Sequence, residues 1–158
     1  MAYLIDGNNF LGHTYAPAYR DPHHRYELAQ KLLIFQRLTR SRIILVFDGP
    51  PDPYLSDEQL QSKRFTVLFP PPGVSADTLI KELLESLTDL RHFFLVTSDR
   101  ELKSVGRSRG APVLTCGEFK AMLQEALKKN KTLGEFSKTT ENHSPLEIRL
   151  WTDVFTKK

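Results

Sequence analysis

Four aspartates are the residues of this sequence best suited to chemistry, because of where they stand relative to its apolar runs. Asp6, Asp48 and Asp99 directly follow the runs 3–5, 43–47 and 93–98, and Asp77 opens an apolar-periodic segment. Short apolar runs without alternation suit strands that are buried on both faces, as in a parallel sheet with helical crossovers. Since such sheets carry their sites at the carboxyl ends of the strands, we expect the four acids to converge on one crevice.

Carboxylates that share one crevice repel one another. Two unit charges about 4 Å apart interact by roughly 4 kcal/mol at an effective dielectric near 20, so the cluster needs protons or a cation. Mg²⁺ and Mn²⁺ prefer oxygen ligands and keep several waters, which allows them to hold a phosphate and to polarise an attacking water. The acids therefore predict a metal-dependent phosphodiesterase. Taken singly, Asp77 and Asp99 are equally well explained as acids that stabilise helix N-termini.

The elements that must position these acids follow an α/β pattern. Apolar runs and helical periodicity predict a mainly parallel central sheet flanked by helices on both faces. The predicted strands are the N-terminal one and those over 43–47, 65–69, 93–97 and 112–115. The predicted helices cover 26–40 and 117–129, a short stretch at 57–63, and the segments that start at Ser75 and after Asp99.

The chain of 158 residues has the length of one domain, which we place over 1–158. Residues 130–144 are polar, and we expect an exposed, mobile loop there. The segment 144–147 then has a capping-box pattern with proline at the first helical position. This pattern predicts a C-terminal helix over 145–156 that docks on the domain through its apolar face.

Composition and charge narrow the class of partner. The net charge is +3, a mild basic bias compatible with a polyanion. Candidate phosphate contacts are Lys63 and Arg64 before the third strand, and Arg100 and Lys103 just beyond Asp99. A solvated surface is the alternative for both pairs. A single cysteine excludes an intrachain disulfide, and neither a signal peptide nor a membrane span is indicated, so we expect a cytoplasmic protein with no membrane partner.

The order of several motifs resembles one known family. Four motifs are similar to those of the YacP-like branch of the NYN-domain ribonucleases. They are Leu-Ile-Asp-Gly-Asn-Asn at the start, Leu-Val-Phe-Asp up to Asp48, Ala-Asp-Thr-Leu-Ile around Asp77 and Val-Thr-Ser-Asp-Arg-Glu around Asp99. That branch lies within the PIN-like nuclease superfamily, and the resemblance covers nearly the whole chain. Phe-Asp-Gly-Pro-Pro also resembles flap-type 5′-nucleases, which leaves the role of the loop 49–57 open.

The resemblance implies a three-layer PIN-like fold and a metal-dependent endoribonuclease that acts on RNA, with the ribosome as a possible setting. By its motifs, Asp6, Asp77 and Asp99 would bind one or two Mg²⁺ or Mn²⁺ ions, and Asp48 would join them directly or through water. Asn9 and Ser98 would orient these metal ligands without binding the metal themselves. A 5′-phosphate product is expected.

Two other classes of function stay open at this point. One is a PIN-like module that binds RNA or a protein with little catalysis, which the intact set of acids argues against. The other is a phosphatase or nucleotide-binding α/β protein. The Asp-Gly-Asn at 6–8 lacks the second acid of the Asp-x-Asp pattern of one phosphatase family. RNA cleavage that requires metal would select the nuclease over both.

Overall fold

Five parallel strands form the centre of the fold in this computed structural model, which describes residues 1–15, 22–55 and 61–137. In spatial order the sheet reads β3-β2-β1-β4-β5, so β1 is central and pairs with both β2 and β4. Every pairing is parallel, and Asp6 stands opposite Val46. The strands are β1 (Ala2–Asp6), β2 (Arg42–Val46), β3 (Phe65–Leu68), β4 (Phe93–Val96) and β5 (Val113–Leu114).

Helices provide the crossovers between these parallel strands. Of the predicted helices, those over 26–40 and 117–129 and those that begin at Ser75 and after Asp99 are present, and an additional helix directly follows β1. The helices are α1 (Gly7–Tyr15), α2 (Pro22–Thr39), α3 (Ala76–Ser86), α4 (Arg100–Ser108) and α5 (Cys116–Ser137), with a 3₁₀ turn at Pro53–Leu55. No helix of the described residues is both long and apolar enough to cross a membrane.

The sheet is buried on both faces, as the lack of alternation in its strands predicts. Ile5 points to a core shared with α1, α2 and α5, while its neighbour Leu4 points to a second core with α3 and α4. Successive side chains of a strand face opposite sides, so each apolar run supplies both cores. The predicted three-layer α/β fold is thereby confirmed.

Local hydrogen bonds explain where two of the helices begin. Ser75 accepts the backbone N–H of Thr78 at 3.1 Å and caps α3, as its sequence position predicts. Thr115 and Glu118 form a reciprocal capping box at the start of α5, in which each side chain accepts the backbone N–H of the other. These caps fix the direction in which each helix leaves the sheet.

The polar segment 130–144 departs from its predicted structure. Its first part, 130–137, continues α5 instead of forming a loop. Residues 130–137 contain no proline, the residue that most strongly interrupts a helix, and Lys131, Leu133 and Glu135 are good helix formers. Residues 61–63, the end of the predicted short helix at 57–63, are not helical. The rest of both segments and the predicted helix over 145–156 lie outside the described residues.

Gly7 allows α1 to begin immediately after β1. A Cβ on Gly7 would lie 2.5 Å from Phe47 Cε1 and 2.9 Å from the carbonyl oxygen of Val46. Phe47 is completely buried, so its ring has no room to yield. The Asp-Gly-Asn motif therefore contains glycine because the backbone approaches the end of β2 too closely for any side chain.

Gly7→Ala is expected to lower the free energy of unfolding by about 1–3 kcal/mol, the usual cost of overpacking a core. Equilibrium urea denaturation measures the change. The matched control is Gly12→Ala in the same helix, where an added Cβ has no neighbour within 4 Å. This control should stabilise the protein by up to about 1 kcal/mol through helix propensity. Equal effects of the two substitutions would contradict the steric explanation.

Candidate functional site

A cleft of about 500 Å³ opens at the carboxyl edge of the sheet. All four aspartates of the motifs line it, although they come from four separate segments of the chain. They are joined by two asparagines, an arginine and a glycine. The lining residues are Asp6, Asn8, Asn9, Arg25, Asp48, Gly49, Asp77 and Asp99.

Topology explains why these segments meet. From β1 the chain continues to β2 and β3 on one side and then returns to β4 on the other side. Such a reversal leaves a crevice outside the carboxyl ends of the two strands that flank it. Asp6 ends β1 and Asp99 follows β4, so both flank this crevice, while Asp48 follows β2. Asp77 reaches the same cleft from the first turn of α3.

Asp6 is the most buried of the acids, with 4% of its surface exposed. Its Oδ2 accepts a hydrogen bond from the Thr97 hydroxyl at 3.3 Å, and its Oδ1 lies 3.5 Å from the backbone nitrogen of Asn9. Burial raises the pKa of Asp6 from 3.8 to about 6, and repulsion from Asp77 and Asp48 adds to this effect. The hydrogen bonds from Asn9 and Thr97 act in the opposite direction. A nearby cation would therefore stabilise the ionised form of the Asp6 carboxyl group.

Thr97 connects Asp6 to Asp99. The hydroxyl of this completely buried residue donates to Asp6 and accepts the backbone N–H of Asp99 at 3.1 Å. A hydroxyl has one proton and two lone pairs, so both bonds are satisfied together. Asp99 itself caps α4 by accepting the N–H of Leu102 at 3.0 Å. The sequence pattern does not indicate Thr97, since it reads as an ordinary strand residue.

Asp77 is half-buried at the start of α3. Its pKa is raised first by burial and then by the charges of Asp99 and Asp48, while the ammonium of Lys81 lowers it. Repulsion between acids thus acts across the cleft. Lys81 is itself held by an ion pair with Glu101, so it compensates the acids only in part.

Asp48 joins the end of β2 to two other segments. Its Oδ1 accepts the backbone N–H of Ala76 at 2.7 Å, which holds the start of α3 against the cleft. Its own backbone N–H donates to Asn8 Oδ1 at 2.8 Å. The same carboxylate that faces the cleft therefore also fixes the position of Asp77.

Asn9 and Ser98 lie between the acids and the start of α5. Asn9 Oδ1 accepts the backbone N–H of Ser98 at 2.8 Å and the thiol of Cys116 at 3.0 Å. The Ser98 hydroxyl accepts the backbone N–H of Cys116 at 3.1 Å and is not part of the cleft lining. Cys116 is fully buried, and burial raises the pKa of its thiol. Asn9 and Ser98 thus connect the segments that carry Asp6 and Asp99.

The basic residues are divided between the two edges of the sheet. Arg100 and Lys103 belong to the first turn of α4, directly beyond Asp99. Lys63 and Arg64 precede β3 and so lie at the amino edge, away from the cleft. The length of β3 separates Lys63 and Arg64 from the carboxyl edge of the sheet, so a site at the cleft does not include them. Arg25 on α2 lines the cleft instead, and no motif of the sequence points to it.

The acids suit a hard divalent cation in their chemistry. They offer oxygen atoms and share one cleft, and charges of neighbouring acids contribute to the raised pKa of Asp6 and of Asp77. Within residues 1–15, 22–55 and 61–137, however, no three His, Cys, Asp or Glu side chains lie close enough to hold a metal ion jointly. Mg²⁺ commonly binds through one or two carboxylates and retains waters, so this spacing fits an ion held partly through water.

Asp6→Asn is expected to stabilise the protein at neutral pH. Because the pKa of Asp6 is higher in the folded state, its ionisation opposes folding. The cost is absent below about pH 4, grows as pH rises, and is complete above about pH 6, where a shift of this size corresponds to roughly 3 kcal/mol. Without metal, the variant should therefore exceed the wild type in stability at pH 7.5 and match it near pH 4, as measured by denaturant unfolding across this range.

The matched control is Asp89→Asn in the exposed loop before β4. Arg91 lowers the pKa of Asp89 to about 2, so removal of this charge should give no stabilisation at pH 7.5. If Asp6→Asn and Asp89→Asn changed stability in the same direction and with the same pH dependence, the carboxyl of Asp6 would not carry the cost of burial.

Comparison with known proteins agrees with this architecture. The family model described as the YacP-like NYN domain matches residues 3–157. The structure of Rae1 (YacP) from Bacillus subtilis has a TM-score of 0.69 at 22% identity, covering 89% of this chain and 83% of that chain. A mutant form of the same protein has a TM-score of 0.67 at 21% identity, covering 96% and 91%. These two likenesses show a shared fold, and no match was found among curated proteins. The match over nearly the full length shows that the chain belongs to the YacP-like NYN domain family, whose domains are nuclease-like.

Proposed function

We propose that this protein is a metal-dependent endoribonuclease that hydrolyses phosphodiester bonds of RNA in the cleft. The observation that carries the proposal is the convergence of four aspartates from separate segments on one cleft, where burial and mutual repulsion raise the pKa of Asp6 and Asp77. Perturbed acids in a cleft are frequent marks of a functional site. Membership in a nuclease-like family favours RNA as the substrate.

In this proposal Asp6, Asp77 and Asp99 hold Mg²⁺ or Mn²⁺, partly through bound water, and Asp48 joins them directly or through water. When bound, such an ion polarises a phosphate and supplies an activated water. Thr97 keeps the Asp6 carboxylate in one orientation by donating to Oδ2 and fixes the backbone of Asp99. Asn9 holds the loop that carries Ser98 and Asp99. The acids are thus arranged before substrate arrives, which limits the reorganisation that the reaction requires.

A binding module with little catalysis is the second candidate. The observation that favours it is the spacing of the acids, since no three of the metal-binding side chains in the described part of the chain are close enough to ligate one ion. Such a module would bind RNA or a protein partner regardless of metal. Ribosome association and a cytoplasmic location are further predictions from the sequence, and they apply to either candidate.

Cleavage of a defined, labelled RNA with Mn²⁺, with Mg²⁺ and with chelator tests the proposal. We expect cleavage with metal, none with chelator, and products with 5′-phosphate ends. Asp6→Asn and Asp99→Asn should each reduce kcat/KM by more than the roughly 10- to 100-fold that loss of a partner behind a metal ligand costs. Asparagine also caps helices well, so Asp99→Asn should preserve α4.

Asp89→Asn is the control for this experiment, because it makes the same chemical change in an exposed loop before β4 and should retain full activity. RNA binding that is unaffected by chelator, with no cleavage under any metal, would select the binding module. Hydrolysis of small phosphate esters in preference to RNA would instead revive the phosphatase hypothesis.

Divalent metal is also expected to raise the melting temperature. An ion that binds only the folded protein stabilises it by mass action, and here it would relieve the repulsion around Asp6. At pH 7.5, Mg²⁺ or Mn²⁺ should raise the melting temperature of the wild type more than that of Asp6→Asn or Asp77→Asn. Differential scanning fluorimetry over a metal titration measures this difference. Identical metal responses of the wild type and both variants would place metal binding outside the cleft.

A further inference from the structure

Arg25 is a cation in the wall of an otherwise acidic cleft. It belongs to the first part of α2 and lines the cleft together with Asp48 and Gly49. Substrate phosphates are anionic, so the aspartates alone would repel them. Arg25 therefore has a position from which it can influence how a polyanion enters.

The guanidinium of Arg25 is held in place by contacts that do not neutralise it. Its Cζ lies 5.3 Å from the centre of the Phe47 ring, and its Nη2 donates a long hydrogen bond of 3.4 Å to the carbonyl oxygen of Asp48. Phe47 is fully buried and is packed closely against Gly7. A fixed ring beneath the guanidinium restricts its plane and reduces the entropy lost when it binds a ligand.

The hydrogen-bonding capacity of Arg25 is not used up within the described protein. Its Nε is shielded from solvent and lacks a hydrogen-bond acceptor there. Among the ion pairs of the described residues none involves Arg25, although it shares the cleft with four carboxylates. The positive charge of Arg25 is thus not paired with a carboxylate of the described residues, and it is available to an anion that enters the cleft.

We propose that Arg25 binds a phosphate of the RNA backbone on the Asp48 side of the cleft and so positions the strand across the aspartates. This inference rests on the proposed function. The planar fork of a guanidinium matches two phosphate oxygens, an arrangement that lysine does not reproduce. Gly49 leaves space for the strand, because a Cβ at this residue would meet nothing within 4 Å.

Fluorescence anisotropy of a labelled single-stranded RNA, with chelator present and over a range of salt concentrations, tests this assignment. Arg25→Ala should weaken binding by about 10- to 100-fold, the range for one hydrogen-bonded charge. It should also reduce the slope of log affinity against log salt by about 0.7, the value for one phosphate contact on a single strand. Arg25→Lys should fall between wild type and Arg25→Ala.

The matched control is Arg37→Ala. Arg37 is an exposed arginine near the other end of α2, at the amino edge of the sheet, so its loss changes the net charge equally without touching the cleft. We expect Arg37→Ala to bind within about 2-fold of wild type with an unchanged salt slope. Melting temperatures of all variants separate loss of binding from loss of folding, and Arg25→Lys keeps the test valid if Arg25→Ala does not fold.

Three outcomes would overturn the assignment: equal losses for Arg25→Ala and Arg37→Ala, an unchanged salt slope in Arg25→Ala, or a wild type that binds no RNA. Its failure is distinguishable from failure of the proposed nuclease. If the wild type cleaves RNA while Arg25→Ala binds RNA normally, only the assignment of Arg25 is overturned. If RNA binding by the wild type depends on Arg25 but no RNA is cleaved, the nuclease proposal is overturned and the assignment of Arg25 is retained.

Discussion

The burial of one carboxylate at the end of the central strand is the constraint on which the rest of the site depends. Asp6 is almost inaccessible to water, and its pKa is raised to about 6 as a result. Few hydrogen bonds oppose this effect, the principal ones coming from the Asn9 backbone and the Thr97 hydroxyl. The close approach at Gly7 maintains this burial by keeping α1 against the end of β2. The fold thus holds an acid where an acid is unfavourable, and local costs of this kind are expected at sites that serve function before stability.

Two of the remaining acids combine a structural and a site position. Asp48 uses one oxygen to hold the start of α3, and Asp99 uses one oxygen to cap α4. A carboxylate has two oxygens and about four lone pairs, so these bonds leave capacity for a ligand. The structural and functional explanations of an acid at a helix start are therefore compatible here. The same bonds also hold the two carboxylates at defined positions beside the cleft.

Much of the fold could be predicted because its signals are local. Buried strands appear as apolar runs, Ser75 stands where a cap is needed, and the acids follow from the rule that parallel strands end at a common edge. Thr97 could not be predicted, because its bond to Asp6 spans 91 residues and depends on which strands pair. Arg25 could not be predicted for a similar reason, since its place in the cleft depends on the direction of α2. Lys63 and Arg64 lie at the opposite edge because of the direction of β3, which their charge alone does not reveal. At 130–137, polarity alone wrongly suggested a loop where the chain continues α5.

The central place of β1 has a consequence for how the protein is made. Its two neighbours in the sheet begin at Arg42 and Phe93, so β1, the first of these strands along the chain, stays incompletely paired until β4 has been made. Long-range pairings of this kind form slowly, because the closure of large loops precedes any gain from contact. The cleft also needs Asp99, so it cannot be complete until the chain has been translated beyond β4. An unfinished polypeptide therefore carries separate acidic segments without the assembled cleft, and the timing of synthesis itself delays the appearance of the complete site.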